Sequence, residues 1–371
     1  MKIRCDKERL AEGLNLVGRT VATRTPLPIL ECILITADNE GIRLMANDLE
    51  MRIETSSFEA EVDEAGSVAL DAKLFTEIVR KMPGDDIHIE SDSKNETVCK
   101  SGKARFSVMG MPGGEFPVME KVERSIGYTI PARDLREMIR QTIFSVATED
   151  AKPVLTGELI QHRENAINIV AVDGFRISYR KMDLPSEFVS TDNPMSVVVP
   201  AKALHELSRI LPQEDIVRFY FTDKRIVFEL NQFTFVSRLL EGEFIRYDQI
   251  FNEDFTTNVT VGRQAFLSCL ERATLIAREN KKTPIKVEIT EQSIVITSKT
   301  EMGDAYDEVQ ADVDGSELEI AFNPRYLIEA LKAIDEENVI ARFTTGLSPC
   351  IIRGEKSDAA KYLILPLRLR D

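Results

Sequence analysis

One short pattern recurs six times along the 371 residues, and it constrains the fold more than any other feature of the chain. Each copy is an apolar residue, a capping residue or proline, two or three residues that usually include Lys or Arg, and then Leu or Phe. The copies run 5–10, 70–75, 130–135, 199–204, 261–266 and 322–327. Their second residues stand at 6, 71, 131, 200, 262 and 323, a spacing of 60 to 69. Asp6, Asp71, Gly262 and Asn323 are residues that cap helices, and Pro131 and Pro200 suit the first helical position, where no N–H is needed. Apolar residues follow at helical spacing, as in Leu10, Leu14, Val17 or Leu135, Met138, Ile139. Each copy therefore predicts a strand handing over to a helix. The second, fourth and sixth helices stop alike, at Met82-Pro83-Gly84, Leu211-Pro212 and Ile334-Asp335. Helices pair up, and the reading is α+β: three tandem domains, 1–120, 121–250 and 251–371, each with two helices on mostly antiparallel sheets.

Alternating runs between the helices predict hairpins. Ile33–Thr36 folds onto Ile42–Met45, Gly157–Ile160 onto Ile167–Val170, Ile216–Phe221 onto Ile226–Leu230, and Lys286–Ile289 onto Ile294–Thr297.

The net charge is −15. By itself this argues against an acidic polymer as partner, so the placement of the positive charges decides. The windows 7–19, 71–81, 132–145, 201–210, 263–278 and 323–334 hold sixteen Lys and Arg against nine Asp and Glu. The helices are thus basic in an acidic chain. Six basic helices lining one surface would attract phosphates without reading sequence. A surplus of this size holds DNA weakly at cellular salt, so retention would need a closed ring.

Other chemistry is sparse. Five scattered cysteines with no paired spacing predict free thiols and a cytoplasmic protein. No apolar run approaches the ~18 residues of a membrane helix. His88, His162 and His205 have no metal spacing, and the glycines of Gly110–Gly114 lack the Lys and Ser of a phosphate loop. We expect no cofactor, metal or catalytic residue. Two rivals stand beside the ring: a hydrolase using Asp48 and Asp173, which occupy parallel turns, and a scaffold that never encircles DNA.

Five segments in order resemble the bacterial DNA polymerase III beta subunit family, the sliding clamps. They are Arg24-Thr25-Pro26-Leu27-Pro28-Ile29-Leu30, Asn47-Asp48-Leu49-Glu50-Met51, Val172-Asp173-Gly174-Phe175-Arg176-Ile177, Gly242-Glu243-Phe244-Ile245-Arg246-Tyr247 and Leu365-Pro366-Leu367-Arg368-Leu369. The resemblance spans the chain. It implies a head-to-tail homodimer of clamp-like domains closing as a ring around double-stranded DNA, helices inward. It implies a non-enzymatic processivity factor that tethers the polymerase III catalytic subunit, the clamp loader and other clamp-binding-motif proteins.

A partner-peptide pocket is implied at Leu155, Gly174, Phe175, Arg176, Ile177, Ile250, Asn323, Tyr326, Leu347, Leu363, Leu365, Pro366, Leu367 and Arg368. The dimer seam would set Phe106-Ser107-Val108 against Leu275 and Ile276, with Lys103 and Arg105 facing Glu301, Asp304 and Asp307. DNA contacts would include Arg24, Lys73, Arg133, Lys202 and Arg209. The chain departs from the family pattern at Ile245, where proline is common. It also departs in the acidic Thr148–Val154 loop, to which no DNA contact is assigned, and in the extra Arg370 and Asp371.

Overall fold

All six predicted helices form: α1 (Lys7–Val17), α2 (Ala72–Lys81), α3 (Ala132–Thr142), α4 (Ala201–Ile210), α5 (Arg263–Ala273) and α6 (Pro324–Ala333). They belong to a computed structural model that describes residues 1–117, 127–148, 152–185, 195–251, 254–276 and 284–368. The caps explain three of the starts. The side chain of Asp6 accepts the N–H of Arg9 at 2.8 Å, Asp71 that of Leu74 at 2.7 Å, and Asn323 that of Arg325 at 3.1 Å. The prolines correct the sequence reading. Pro131 and Pro200 are the last residues of the strands Tyr128–Pro131 and Ser196–Pro200, one position before their helices begin. Both strands lie at sheet edges, where a residue without an N–H costs the ladder little. Only Pro324 takes the first helical turn.

The chain forms two compact units: Met1–Arg133 with Phe188–Thr191 and Arg209–Leu239, and Asp134–Glu187 with Asp192–Ser208 and Leu240–Asp371. Each unit holds its own nine-stranded antiparallel sheet and a smaller one. In the first unit the large sheet centres on Cys32–Asp38, Gly41–Asn47 and Met51–Thr55, then Phe233–Arg238 and Arg225–Glu229. In the second it centres on Gly157–Arg163, Ala166–Val172 and Arg176–Asp183, then Ala360–Ile364 and Cys350–Gly354. The four predicted hairpins are all present; Leu34 pairs with Met45 and Leu159 with Val170.

These two sheets are copies in register. Every element from α1 to the strand Met51–Thr55 recurs about 125 positions later. Lys7–Val17 becomes Ala132–Thr142, the 3-10 turn Gly18–Thr20 becomes Ile143–Ser145, and Pro28–Glu31 becomes Pro153–Thr156. Cys32–Asp38 becomes Gly157–Arg163, and Gly41–Asn47 becomes Ala166–Val172. One glycine shows why the turns hold. Gly41 adopts φ 121°, and a Cβ there would meet the carbonyl of Phe58 at 2.2 Å.

The cores are apolar side chains from helix and sheet. Leu10, Leu14 and Val17 of α1 are buried in the first unit; Phe266, Leu270, Leu327 and Leu331 join one buried cluster in the second. Each such side chain stabilises the fold by about 2 kcal/mol. All five cysteines are free and buried. Burial pushes their thiols up, to about 11 for Cys32 and about 12 for Cys5, which keeps them protonated and unreactive.

Candidate functional site

The turn Asp173-Gly174-Phe175-Arg176 organises a concavity of the second unit. Gly174 sits at φ 88°, a conformation that suits glycine. The Asp173 carboxylate accepts the N–H groups of Phe175 (3.0 Å) and Arg176 (3.1 Å), and its second oxygen accepts Nε of Arg176 at 2.9 Å. Arg176 is thereby folded inward and is only 5% exposed. Its other nitrogens donate to Glu329 on α6 and to the carbonyl of Phe144. The guanidinium lies 4.5 Å from the ring centre of Tyr326 and 5.3 Å from that of Phe144. A buried cation held by two carboxylates, a carbonyl and two ring faces is rigid, because each lost contact leaves charge without water.

Upon this base sits an open aromatic wall. Phe175 is 55% exposed and stacks on Tyr326 with centroids 6.4 Å apart. Burial and Asp173 push the Tyr326 hydroxyl above its usual range, so it stays neutral. The other wall comes from the tail. After the strand Ala360–Ile364, Leu365 donates its N–H to the carbonyl of Phe175 (2.9 Å) and Leu367 to that of Ala321 (2.8 Å). Pro366 between them has no N–H to give. The concavity encloses about 520 Å³.

Of the sequence-predicted pocket residues, Phe175, Arg176, Asn323, Tyr326 and Leu367 line this concavity. Leu155, Ile177 and Leu363 are buried together in an apolar cluster with Val172 and Tyr247. Ile250, Leu347, Leu365 and Arg368 are exposed. Sequence reasoning missed Phe144, Val146, Ala147 and Thr148, which follow α3 with no motif to mark them, and Asp173 and Arg325. In the sequence Arg325 counts only as helix charge, and Asp173 stands as a turn residue and a rival catalytic carboxylate. Thr148, Lys152, Pro153 and Val154 of the acidic loop are described; 149–151, Arg370 and Asp371 lie outside the described residues.

Asp48, like Asp173, spends its carboxylate on its own turn, accepting the N–H groups of Glu50 (3.1 Å) and Met51 (2.9 Å). The two belong to different units, and each has a structural task.

Two sheet edges stand out. Ala104–Met109 ends the five-stranded sheet of the first unit, with Phe106 and Met109 exposed beside Lys103 and Arg105. Gly303–Gln310 ends the four-stranded sheet of the second unit and carries Asp304, Asp307 and Glu308, with Tyr306 exposed and Glu301 just before it. Leu275 and Ile276 lie in the turn after α5, outside any strand, with Leu275 exposed. Asp307 is already engaged: Nε of Arg272 lies at 2.6 Å and holds its carboxyl below the usual range.

The helix charges are less uniform than their count. Arg272 pairs with Asp307, Arg325 with Glu329, Lys332 with Glu271, and Arg140 with Glu137 and Asp335. On α2, Lys73, Arg80 and Lys81 are exposed and have no acidic partner among the described residues. Arg24, Arg133, Lys202 and Arg209 are exposed.

Three family models cover nearly the whole chain: the DNA polymerase III beta subunit N-terminal domain (residues 1–120), central domain (129–245) and C-terminal domain (248–368). The chain is 34% identical to the beta sliding clamp of Halalkalibacterium halodurans, over 98% of each chain.

The chain belongs to the DNA polymerase III beta subunit family.

Solved clamps agree throughout their length. A DNA polymerase III beta subunit from Eubacterium rectale matches at TM-score 0.94 and 40% identity, and the Bacillus subtilis sliding clamp at 0.95 and 32%, each covering 100% of both chains. This beta sliding clamp is a DNA replication processivity factor, an accessory subunit without a reaction of its own. Three tandem clamp domains thus run through two compact units, the strands of the central one divided between the two large sheets.

Proposed function

We propose that two copies of this clamp join head to tail into a ring around duplex DNA and dock the polymerase III catalytic subunit, the clamp loader and other replication proteins in the concavity at Phe175, Arg176 and Tyr326. The domains would divide at 1–120, 121–250 and 251–371, and the ring would work in the cytoplasm. The observation that carries the ring is the pair of unlike edges on one chain. The basic, apolar edge Ala104–Met109 suits the acidic edge Gly303–Gln310 and does not suit a copy of itself. Unlike edges give head-to-tail contacts, which close when the rotation allows. Opposite charge sets partner and register more than it adds affinity. Asp304 and Glu301 are the acids best placed to meet Lys103 and Arg105, since Asp307 is spent on Arg272.

For the pocket, an apolar hollow with few polar groups fits a short hydrophobic segment of a partner. Arg24, Lys73, Arg133, Lys202 and Arg209 would meet phosphates from inside the ring. Tethering turns each rebinding of the polymerase into an intramolecular step at high effective concentration. Loaded onto nicked circular DNA and onto the same DNA cut open, the protein should persist on circles and slide from the linear form. Lys103→Glu with Arg105→Glu should shift sedimentation toward monomer and shorten retention on circles. Equal retention on circular and linear DNA would refute the ring.

A further inference from the structure

Three apolar core residues of the first unit, Val17, Ile33 and Ile53, correspond in the repeated register to Thr142, Glu158 and Ser178 of the second. All six are buried. A carboxyl group therefore stands where the sister unit has a branched hydrocarbon. Neither oxygen of Glu158 is paired in good hydrogen-bond geometry, and the Thr142 hydroxyl is the one polar group near enough to favour its charged form. The hydroxyls on the neighbouring elements have other partners as well. Thr142 donates to the carbonyl of Met138 at 2.8 Å, and Ser145 and Ser178 bond each other at 2.6 Å. A charged carboxylate in such a place is costly; the protonated acid is the form that fits.

No nearby charge offsets this. The neighbouring strands Ala166–Val172 and Ser196–Pro200 and the 3-10 turns Ile143–Ser145 and Pro153–Thr156 carry no ionisable side chain. The strand Arg176–Asp183 brings Arg176 and Arg180 to the face of Ser178, Ala360–Ile364 brings Tyr362, and α3 brings Arg133, Asp134, Arg136, Glu137 and Arg140. Arg176 is held by Asp173 and Glu329, and Arg140 by Glu137 and Asp335. Burial pushes the Glu158 carboxyl up to about 8, with Thr142 opposing the shift and no charged group contributing.

Glu158 also adjoins Thr142, which leads into the segment lining the concavity, and follows the turn that is hydrogen-bonded to that segment. Thr142 leads into Phe144, whose ring and carbonyl hold Arg176. The turn Pro153–Thr156, with Leu155, ends two residues before Glu158. A hydrogen bond from the N–H of Ala147 to the carbonyl of Leu155, 2.8 Å, ties the segments together. Water reaching an ionised Glu158 must displace one or both.

We propose that Glu158 is a proton-sensitive support of the docking pocket: protonated, it keeps the segments 142–147 and 153–157 seated, and on losing its proton it loosens them and weakens docking. The second half rests on the reading of the concavity as a docking site. At one pH unit above its midpoint about one molecule in ten retains the proton, so docking should weaken about tenfold.

The test is hydrogen exchange on the full-length protein from pH 6.5 to 9, corrected for the intrinsic pH dependence of exchange. Wild type should lose about tenfold of its protection in 142–147 and 153–157 between pH 7 and 9. Glu158→Gln should hold that protection, as should Glu158→Ile, which installs the residue of the sister unit and serves if the glutamine variant folds poorly. The equivalent segments 17–22 and 28–32 should not respond. Surface-plasmon titration of the polymerase III catalytic subunit at the same pH values should show affinity falling with exchange in wild type only. Matching exchange profiles in wild type and both variants would overturn the proposal. If exchange responds and affinity does not, the docking role of the concavity is what fails.

Discussion

The turns at Asp48 and Asp173 share a backbone and differ in what they offer. In both, the aspartate accepts the N–H groups two and three residues on, and the next residue has positive φ: Leu49 at 72°, Gly174 at 88°. In both, a later strand's end donates to the carbonyl of the residue after that: Arg238 to Glu50 at 2.8 Å, Leu365 to Phe175 at 2.9 Å. The side chains part company there. The first unit presents an exposed ion pair, Arg238 with Glu50 at 3.3 Å, over a buried Met51. The second presents exposed Phe175 and Leu365 over a buried Arg176. Charge outside and hydrocarbon inside gives ordinary surface; the reverse gives an apolar hollow on a rigid cationic base. A duplicated scaffold thus gains an apolar hollow at one of the two turns because a few side chains exchange character.

Reversing that exchange should break the contrast. Arg176→Met, which copies Met51, leaves Asp173 without its cation and Glu329 with Arg325 alone. It should destabilise the second unit by about 3 kcal/mol, measured by urea denaturation. A loss under 1 kcal/mol would mean that Arg176 is not the base of the site. Phe175→Glu with Leu365→Arg, which installs the pair of the first unit, should leave stability within about 1 kcal/mol, since exposed ion pairs contribute little. Binding of the polymerase III catalytic subunit should nevertheless fall about 100-fold, consistent with loss of two apolar anchors. Unchanged binding would place docking elsewhere. Last comes Leu49→Gly, which relieves a leucine held at φ 72° and should raise the stability of the first unit by up to about 1 kcal/mol. A loss of stability would show that Leu49 is held there by packing that outweighs the strain.

Much of this architecture was legible because it is local. Caps and apolar spacing located all six helices, and alternation located the hairpins. The pocket was half legible. Phe175, Tyr326 and Leu367 could be named through family resemblance, whereas Phe144 and Val146 carry no pattern and enter only because Arg176 reaches the carbonyl of Phe144. The charge count over-read the helices. Arg272, Arg325 and Lys332 counted as positive surface, yet each is met by a carboxylate. Arg325 meets Glu329 one turn along its own helix, which spacing could have shown. Arg272 meets Asp307 and Lys332 meets Glu271 across elements, which it could not.

The sequence alone determined the repeat, the strand-to-helix starts, the free thiols and the family, since each depends on residues within a few positions or on the pattern as a whole. Tertiary structure decided which copy of a turn became a hollow, which cations kept a field, and that Thr142, Glu158 and Ser178 share one buried place. The reason is range. Arg176 and Glu329 are 153 positions apart, and no local rule fixes the energy of a charge whose partner and whose exclusion from water both come from distant chain.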